Sequence, residues 1–193
     1  MPIDFKYKLA EDQISTSEIT KLSRWLISAK KLTQDRNVEK FQNNFSKYMN
    51  IKNSIFVNSG SSANLLIAQS LLESGQLKNK IIIAPTLSWS TTVTPFLQLG
   101  YDVKLCDTDL KNLGLSINHL EYLCKKFRPS AIILVHVLGH ANDMEKILKI
   151  CKKYKIFLIE DTCEALGSSV KKKKLGSFGI ASSFSFYYGH HIS

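Results

Sequence analysis

Residues 131–161 read AIILVHVLGHANDMEKILKICKKYKIFLIED. Two short runs rich in apolar residues, 131–137 and 156–159, flank a segment in which Met144, Ile147, Cys151 and Tyr154 recur at helical spacing. An apolar run without alternation is a strand covered on both faces, and the 3.6-residue recurrence between the runs is an amphipathic helix. Strand, helix and strand in that order close into a right-handed crossover, so this stretch predicts two parallel strands in one sheet.

The same alternation extends outward. Apolar runs at 54–57, 80–84 and 103–106 precede this unit, with helix-period segments at 63–72, 89–99 and 117–127; the last carries Ile117, Leu120, Leu123, Cys124 and Phe127. The expected class is α/β, a mostly parallel sheet with helices on both faces. Beyond Asp161, Gly167-Ser168-Ser169, the lysine run at 171–174 and Gly176 resemble a hairpin with a charged tip, and 182–187 reads as a last strand. Ahead of the sheet, Ser15-Thr16-Ser17-Glu18 is a capping box followed by Ile19, Leu22, Leu26 and Ala29. Val38, Phe41, Phe45 and Tyr48 mark a second amphipathic helix over 37–49. With no repeat or linker after residue 54, the expected organisation is a helical segment, 1–53, and one α/β unit, 54–193.

The 193 residues are enough for one domain or two small ones at roughly 100–200 residues each. A composition of 44% hydrophobic and 22% charged residues excludes disorder, collagen-like repeats and a disulfide miniprotein. Twenty-six Lys and Arg against 16 Asp and Glu leave a net charge of +10, a balance that suits nucleic acid or phosphorylated ligands. The lysines are scattered in pairs such as Lys30-Lys31, Lys125-Lys126 and Lys152-Lys153, without an RNP-type aromatic signature or zinc-finger spacing, so nucleic-acid binding is not expected. Cys106, Cys124, Cys151 and Cys163 form no Cys-x-x-Cys pair and read as free thiols of a reducing compartment. The first dozen residues carry Asp4, Glu11 and Asp12, and no apolar run approaches the ~18 residues of a membrane span. Neither leader nor span is expected, and the expected location is the cytoplasm.

Open parallel sheets bind ligands outside the carboxyl ends of their strands. After 54–57 comes Asn58-Ser59-Gly60-Ser61-Ser62-Ala63-Asn64, opening a helix. Its free N–H groups, two hydroxyls and positive dipole end suit a phosphate, although serine there is equally a plain helix cap. After 80–84, Pro85-Thr86-Leu87-Ser88-Trp89-Ser90-Thr91-Thr92 sets a tryptophan among small hydroxyl residues. Its face can lie on a flat ring, although tryptophan is more often core. After 156–159 come Glu160 and Asp161, of which only one can face a given pocket, because neighbouring strand residues point to opposite faces. A buried carboxylate there calls for a cationic or hydrogen-bonding partner, such as a protonated ring nitrogen; the alternative is an acid capping the next turn. His190 and His191 close the sequence as an acid–base pair or a solvated terminus, and no further ligand spacing suggests a metal.

Taken together, 58–64, 85–92, Val135-His136-Val137-Leu138-Gly139-His140, 160–167, Gly176-Ser177-Phe178-Gly179 and Phe184-Ser185-Phe186-Tyr187 resemble the DegT/StrS family. That family comprises pyridoxal-phosphate-dependent sugar aminotransferases of the aspartate-aminotransferase fold, fold type I. The likeness runs along essentially the whole chain, Leu32-Thr33-Gln34 and Val38-Glu39-Lys40-Phe41 included, with Asp35 at a position where the family usually has glycine. It implies that Gly60, Ser61 and Ser185 hold the cofactor phosphate, that Trp89 stacks on the pyridine ring, and that Asp161 pairs with the protonated ring nitrogen and keeps the ring an electron sink.

In the family's aminotransferases a lysine that links covalently to the cofactor follows the Phe-Ser-Phe stretch. His190 stands there, and no lysine occurs after Lys174. A histidine at this place resembles the family's nucleotide-4-keto-6-deoxyhexose 3-dehydratases, which use pyridoxamine phosphate and a histidine base. The run 187–192 is similar to theirs, and Glu164, a further cofactor-binding residue by this resemblance, stands where many family aminotransferases carry Gln or His and points the same way. The implied function is 3-dehydration of a nucleotide-linked 4-keto-6-deoxy sugar in deoxysugar and O-antigen-type polysaccharide biosynthesis. His190 would be the base, and glutamate or a reducing partner protein would complete the cycle. Two alternatives stand beside it: a sugar-nucleotide aminotransferase of the same family, and an inactive fragment or binding module with the fold only. The resemblance further implies an incomplete large domain without the family's small carboxyl-terminal domain, inactive by itself, and a homodimer at full length.

Overall fold

The structure, a computed structural model, describes residues 14–187 and 189–190. The amino-terminal stretch with Asp4, Glu11 and Asp12, as well as Tyr188, His191 and Ile192, lies outside the described residues. Two compact units emerge: Val57–Ser185, and one made of the residues up to Phe56 together with those from Phe186 on.

The smaller unit holds α1 (Thr16–Ser28) and α2 (Arg36–Met49). The capping box forms as predicted: the Ser15 hydroxyl accepts from the Glu18 amide at 3.3 Å, and the Glu18 carboxylate accepts from the Ser15 amide at 2.7 Å. Asp35 caps α2, accepting from the Asn37 amide at 2.8 Å, which gives this residue a structural task. The expected strand at 54–57 does not form. The Ser54 hydroxyl donates to the Gln42 carbonyl at 2.6 Å and the Phe56 amide donates to the Gln42 side chain at 2.8 Å, so α2 serves as the partner that a sheet neighbour would have been. Phe56 is apolar for a different reason: its ring meets Phe41 and Phe186 at centroid distances of 5.1 and 6.3 Å.

The larger unit runs α3 (Gly60–Glu73), β1 (Ile81–Pro85), α4 (Ser90–Gln98), β2 (Asp102–Cys106), α5 (Ile117–Phe127), β3 (Ala131–Val135), α6 (Met144–Tyr154), β4 (Phe157–Asp161), the hairpin β5 (Ser169–Val170) and β6 (Lys173–Lys174), and β7 (Ala181–Ser183). Five strands form one sheet in the order β2-β1-β3-β4-β7, with every neighbouring pair parallel. Strand alternation buries both faces. Ile82, Ala84, Ala131, Ile133 and Ile159 pack with Ala68 and Leu71 of α3 and Phe96 of α4. Ile83, Ile132, Leu134 and Leu158 pack with Leu120 and Leu123 of α5 and Ile147 and Ile150 of α6. Burying each large aliphatic side chain contributes roughly 1.5–3 kcal/mol, which makes this two-sided core the main stabiliser of the unit.

The chain leaves β1 towards β2 and leaves β3 towards β4, in opposite directions along the sheet. The topological switch point therefore lies at the carboxyl ends of β1 and β3, where sheets of this kind take ligands. The lysine-tipped hairpin forms as expected, with Lys171 and Lys172 at φ 50° and 66° in the left-handed turn that suits strand twist. β7 is shorter than the predicted run 182–187, because the chain leaves the ladder after Ser183.

Candidate functional site

Alternation along β4 decides which acid faces which layer. Asp161 shares the parity of Ile159 and enters the layer of α3 and α4, while Glu160 shares that of Leu158 and enters the layer of α5 and α6.

Asp161 is buried, 4% exposed. Its Oδ2 accepts from the Asn64 side-chain amide at 3.0 Å and from the Thr92 hydroxyl at 2.8 Å, and its Oδ1 accepts from the Cys163 backbone amide at 3.2 Å. All three donors are neutral. They orient the carboxylate and solvate it in part, and they leave its charge for a cation to balance. The acid thus does accept from the following turn, as the structural alternative held, and it also faces the carboxyl-end layer.

The amino terminus of α3 lies in that layer. Ser59 caps the helix, its hydroxyl accepting from the Ser62 amide at 3.1 Å, and the Ser61 hydroxyl donates to Thr91 Oγ1 at 3.1 Å. A Cβ on Gly60 would stand 2.9 Å from Cys163 Sγ and 3.2 Å from Ser185 Cβ, so only glycine lets the first turn of α3 approach the segment after β7 this closely. The predicted phosphate residues Gly60, Ser61 and Ser185 thus meet around one helix start, with its dipole and unpaired N–H groups. Trp89 stands at the N-cap position of α4 and is 75% exposed, which excludes the core role that tryptophan more often takes.

On the opposite face, Glu160 is fully buried. Its Oε1 accepts from the amides of Phe178 and Gly179, both at 2.7 Å; Oε2 accepts from the Gly176 amide at 2.8 Å and meets His136 Nε2 at 3.2 Å. Because His136 Nδ1 accepts from the Asn142 amide at 3.3 Å, the proton belongs on Nε2, directed at the carboxylate. Burial pushes the Glu160 carboxyl up, but the hydrogen bonds from His136, Gly176 and Gly179 outweigh it and hold the group below its ordinary range. Glu164 serves the neighbouring turn: its carboxylate accepts from the Leu138 amide at 2.7 Å, where Leu138 has φ 51°. His190 belongs to the other unit. Its amide donates to the Tyr187 carbonyl at 2.8 Å, its ring lies edge-on to Tyr187 at 5.7 Å, and its Nδ1 is buried without a hydrogen-bond partner among the described residues.

Asn64, Thr92 and His136 were not singled out from the sequence. Asn64 left a signal: it is the polar member of the buried stripe Asn64, Ala68, Leu71 of α3. All four cysteines are free, and no group of three or more His, Cys, Asp or Glu among the described residues could hold a metal ion. No helix of the described residues is long and apolar enough to cross a membrane.

Residues 13–193 match the DegT/DnrJ/EryC1/StrS aminotransferase family. The chain belongs to this family. This DegT-family chain is 33% identical over 194 residues to the GDP-4-keto-6-deoxy-D-mannose 3-dehydratase of Yersinia pseudotuberculosis, covering 99% of this chain and 49% of the relative. It is 33% identical over 150 residues to the GDP-perosamine synthase of Escherichia coli O157:H7, covering 78% of this chain and 40% of the relative. Among solved structures it is similar to E. coli GDP-4-keto-6-deoxy-D-mannose-3-dehydratase with bound hydrated PLP, with a TM-score of 0.87, 33% identity, and coverage of 97% of this chain and 49% of that one. The DegT-family chain spans about half the length of the curated relatives it matches.

Proposed function

We propose that this chain carries the pyridoxal phosphate or pyridoxamine phosphate site of a nucleotide-sugar enzyme of deoxysugar biosynthesis. The proposed reaction is 3-dehydration of a nucleotide-linked 4-keto-6-deoxyhexose. The observation that carries the reading is Asp161, a buried carboxylate at the carboxyl end of a parallel strand whose hydrogen bonds come from neutral donors, an environment suited to a protonated ring nitrogen. The cradle at Gly60, which a Cβ would fill, is the second point of fit.

When bound, the cofactor supplies an electron sink for breaking bonds at the neighbouring sugar carbons. Gly60, Ser61 and Ser185 bind its phosphate at the start of α3, where amides and dipole favour an anion. Trp89 offers an exposed ring face for stacking. Asp161 holds the proton on the ring nitrogen, and Glu164 braces the turn after β3 at the same end of the sheet. His190 is the proposed base: its Nδ1 has no hydrogen-bond partner among the described residues, and a neutral imidazole nitrogen that carries no proton can accept one.

Both GDP-sugar relatives support GDP as the nucleotide, glutamate is the proposed amino donor, and the proposed working form is a cytoplasmic homodimer in which the unit Val57–Ser185, narrower at both ends than the expected 54–193, is the body of the cofactor-binding domain. A sugar aminotransferase is the second reading, favoured by the likeness to GDP-perosamine synthase. Stoichiometric pyridoxal phosphate followed by borohydride and peptide mass mapping separates the two. The dehydratase reading expects bound cofactor and no covalent adduct; a cofactor trapped on one defined lysine overturns it.

A further inference from the structure

Asn64 occupies a buried position that an apolar residue would fill at lower cost. It is 2% exposed, on the stripe it shares with Ala68 and Leu71, and its Oδ1 is buried with no hydrogen-bond partner among the described residues. A buried carbonyl oxygen without a donor loses the hydration it had in the unfolded chain. The amide cannot relieve this by turning over: its Nδ2 faces two acceptors, the Thr91 carbonyl at 3.2 Å and Asp161 Oδ2 at 3.0 Å, and reversal would set oxygen against both.

The Thr91 carbonyl is available because of Pro95. Pro95 lies inside α4, four residues after Thr91, and proline has no N–H to donate to the carbonyl of residue i−4. The acceptor vacated in α4 takes one N–H of Asn64, and this leaves the other N–H on Asp161. Thr92, also in α4, adds its hydroxyl to the same carboxylate oxygen at 2.8 Å.

We propose that Asn64 is a positioning residue. Held by the carbonyl that Pro95 leaves open, it ties the phosphate-binding end of α3 to Asp161 and fixes the carboxylate for a cationic ring nitrogen. The inference rests on the cofactor reading of Asp161 given above. It explains why a polar side chain with an unpaired oxygen persists in an otherwise apolar stripe: its benefit falls on the ligand-facing acid and not on the fold.

The test is Asn64→Leu, which keeps the bulk, removes both donors and removes the unpaired oxygen. In the ligand-free protein the loss of the bonds to Asp161 and Thr91 is offset by removal of the unpaired oxygen and by added apolar burial, so the melting temperature should move by only a few degrees in either direction. The Kd for pyridoxal phosphate, read by tryptophan quenching, should rise roughly tenfold, the factor that about 1.4 kcal/mol of lost hydrogen bonding produces. Inorganic phosphate, used as a competitor, should compete equally well in both proteins, because the start of α3 is untouched. Pro95→Ala, which gives the Thr91 carbonyl an intrahelical donor, should weaken pyridoxal phosphate binding in the same direction by a smaller factor. Asp161→Asn is the reference: if it binds pyridoxal phosphate like the unaltered protein, the cofactor reading of the site fails, and this inference with it. If Asp161→Asn weakens binding but Asn64→Leu and Pro95→Ala do not, the positioning role alone is overturned. Failure of Asn64→Leu to fold, with Pro95→Ala binding pyridoxal phosphate like the unaltered protein, also overturns it, because the residue would then serve the fold.

Discussion

Replacing Glu160 by glutamine probes the polar centre on the far face of the sheet. The carboxylate accepts four hydrogen bonds with both oxygens, from the amides of Gly176, Phe178 and Gly179 and from His136. A glutamine amide retains one acceptor oxygen and turns an NH2 group towards the remaining donors. If its oxygen keeps the Phe178 and Gly179 amides, the bonds from Gly176 and His136 are lost. At roughly 1.5–3 kcal/mol for each bond to a charged group, the cost is about 3–6 kcal/mol. For a chain of this size the expected fall in melting temperature is roughly 6–24 °C. The acid limb should change as well. The Glu160 carboxyl is held below its ordinary value of 4.5, so the folded state binds this proton less readily than the unfolded state. Its stabilisation is fully present above that pH and is lost as the pH falls through the lowered value. Thermal melts of both proteins from pH 7 down to pH 4 measure the two effects together. A shift below about 2 °C at pH 7, less than one weak hydrogen bond would produce, refutes the assignment.

Gly60→Ala forces a methyl group against Cys163 and Ser185, at 2.9 and 3.2 Å; the expected loss is about 1–3 kcal/mol in urea unfolding, accompanied by weaker pyridoxal phosphate binding. Unchanged affinity in that variant would remove Gly60 from the phosphate site. Trp89→Ala should leave stability within about 0.5 kcal/mol, since the side chain is mostly exposed, while the cofactor titration weakens severalfold. Burial pushes the Cys106 and Cys124 thiols up to about 12, so a thiol-reactive disulfide reagent at pH 8 should leave both unmodified until denaturant is added; rapid labelling in native buffer would contradict their burial. Asp143 caps α6 by accepting from the Lys146 amide at 3.2 Å, and Asp143→Ala should cost about 1 kcal/mol, measurable as a small shift of the urea midpoint.

Helices at 117–127 and 144–154 were legible residue for residue, because their apolar positions repeat at 3.6 and each repeat faces the sheet. The strands at 131 and 157 were legible because both of their faces are covered, which leaves no polar alternation to confuse. Residues 54–57 misled for the same reason. Phe56 is apolar because it joins an aromatic cluster, and a run of four residues cannot show which kind of apolar neighbour it meets.

At the site, sequence reading reached the chemistry of single positions: an acid at a strand end, a glycine and serines at a helix start, a tryptophan among hydroxyl residues. It also established that Glu160 and Asp161 must face apart, since successive strand residues always do. Which of them meets α3 and α4 was not decidable along the chain. That choice depends on the layer to which Ile159 belongs, and so on how two sets of helices distribute over the sheet. The partnership of Asn64 with Asp161 joins residues 97 positions apart and relies on a carbonyl that a proline in a third element leaves open. Periodicity records what a residue does within its own element, and it determined the α/β class and most of its helices. The assignment of each acid to its donors needed the tertiary structure, because hydrogen bonds across elements depend on distances that packing alone sets.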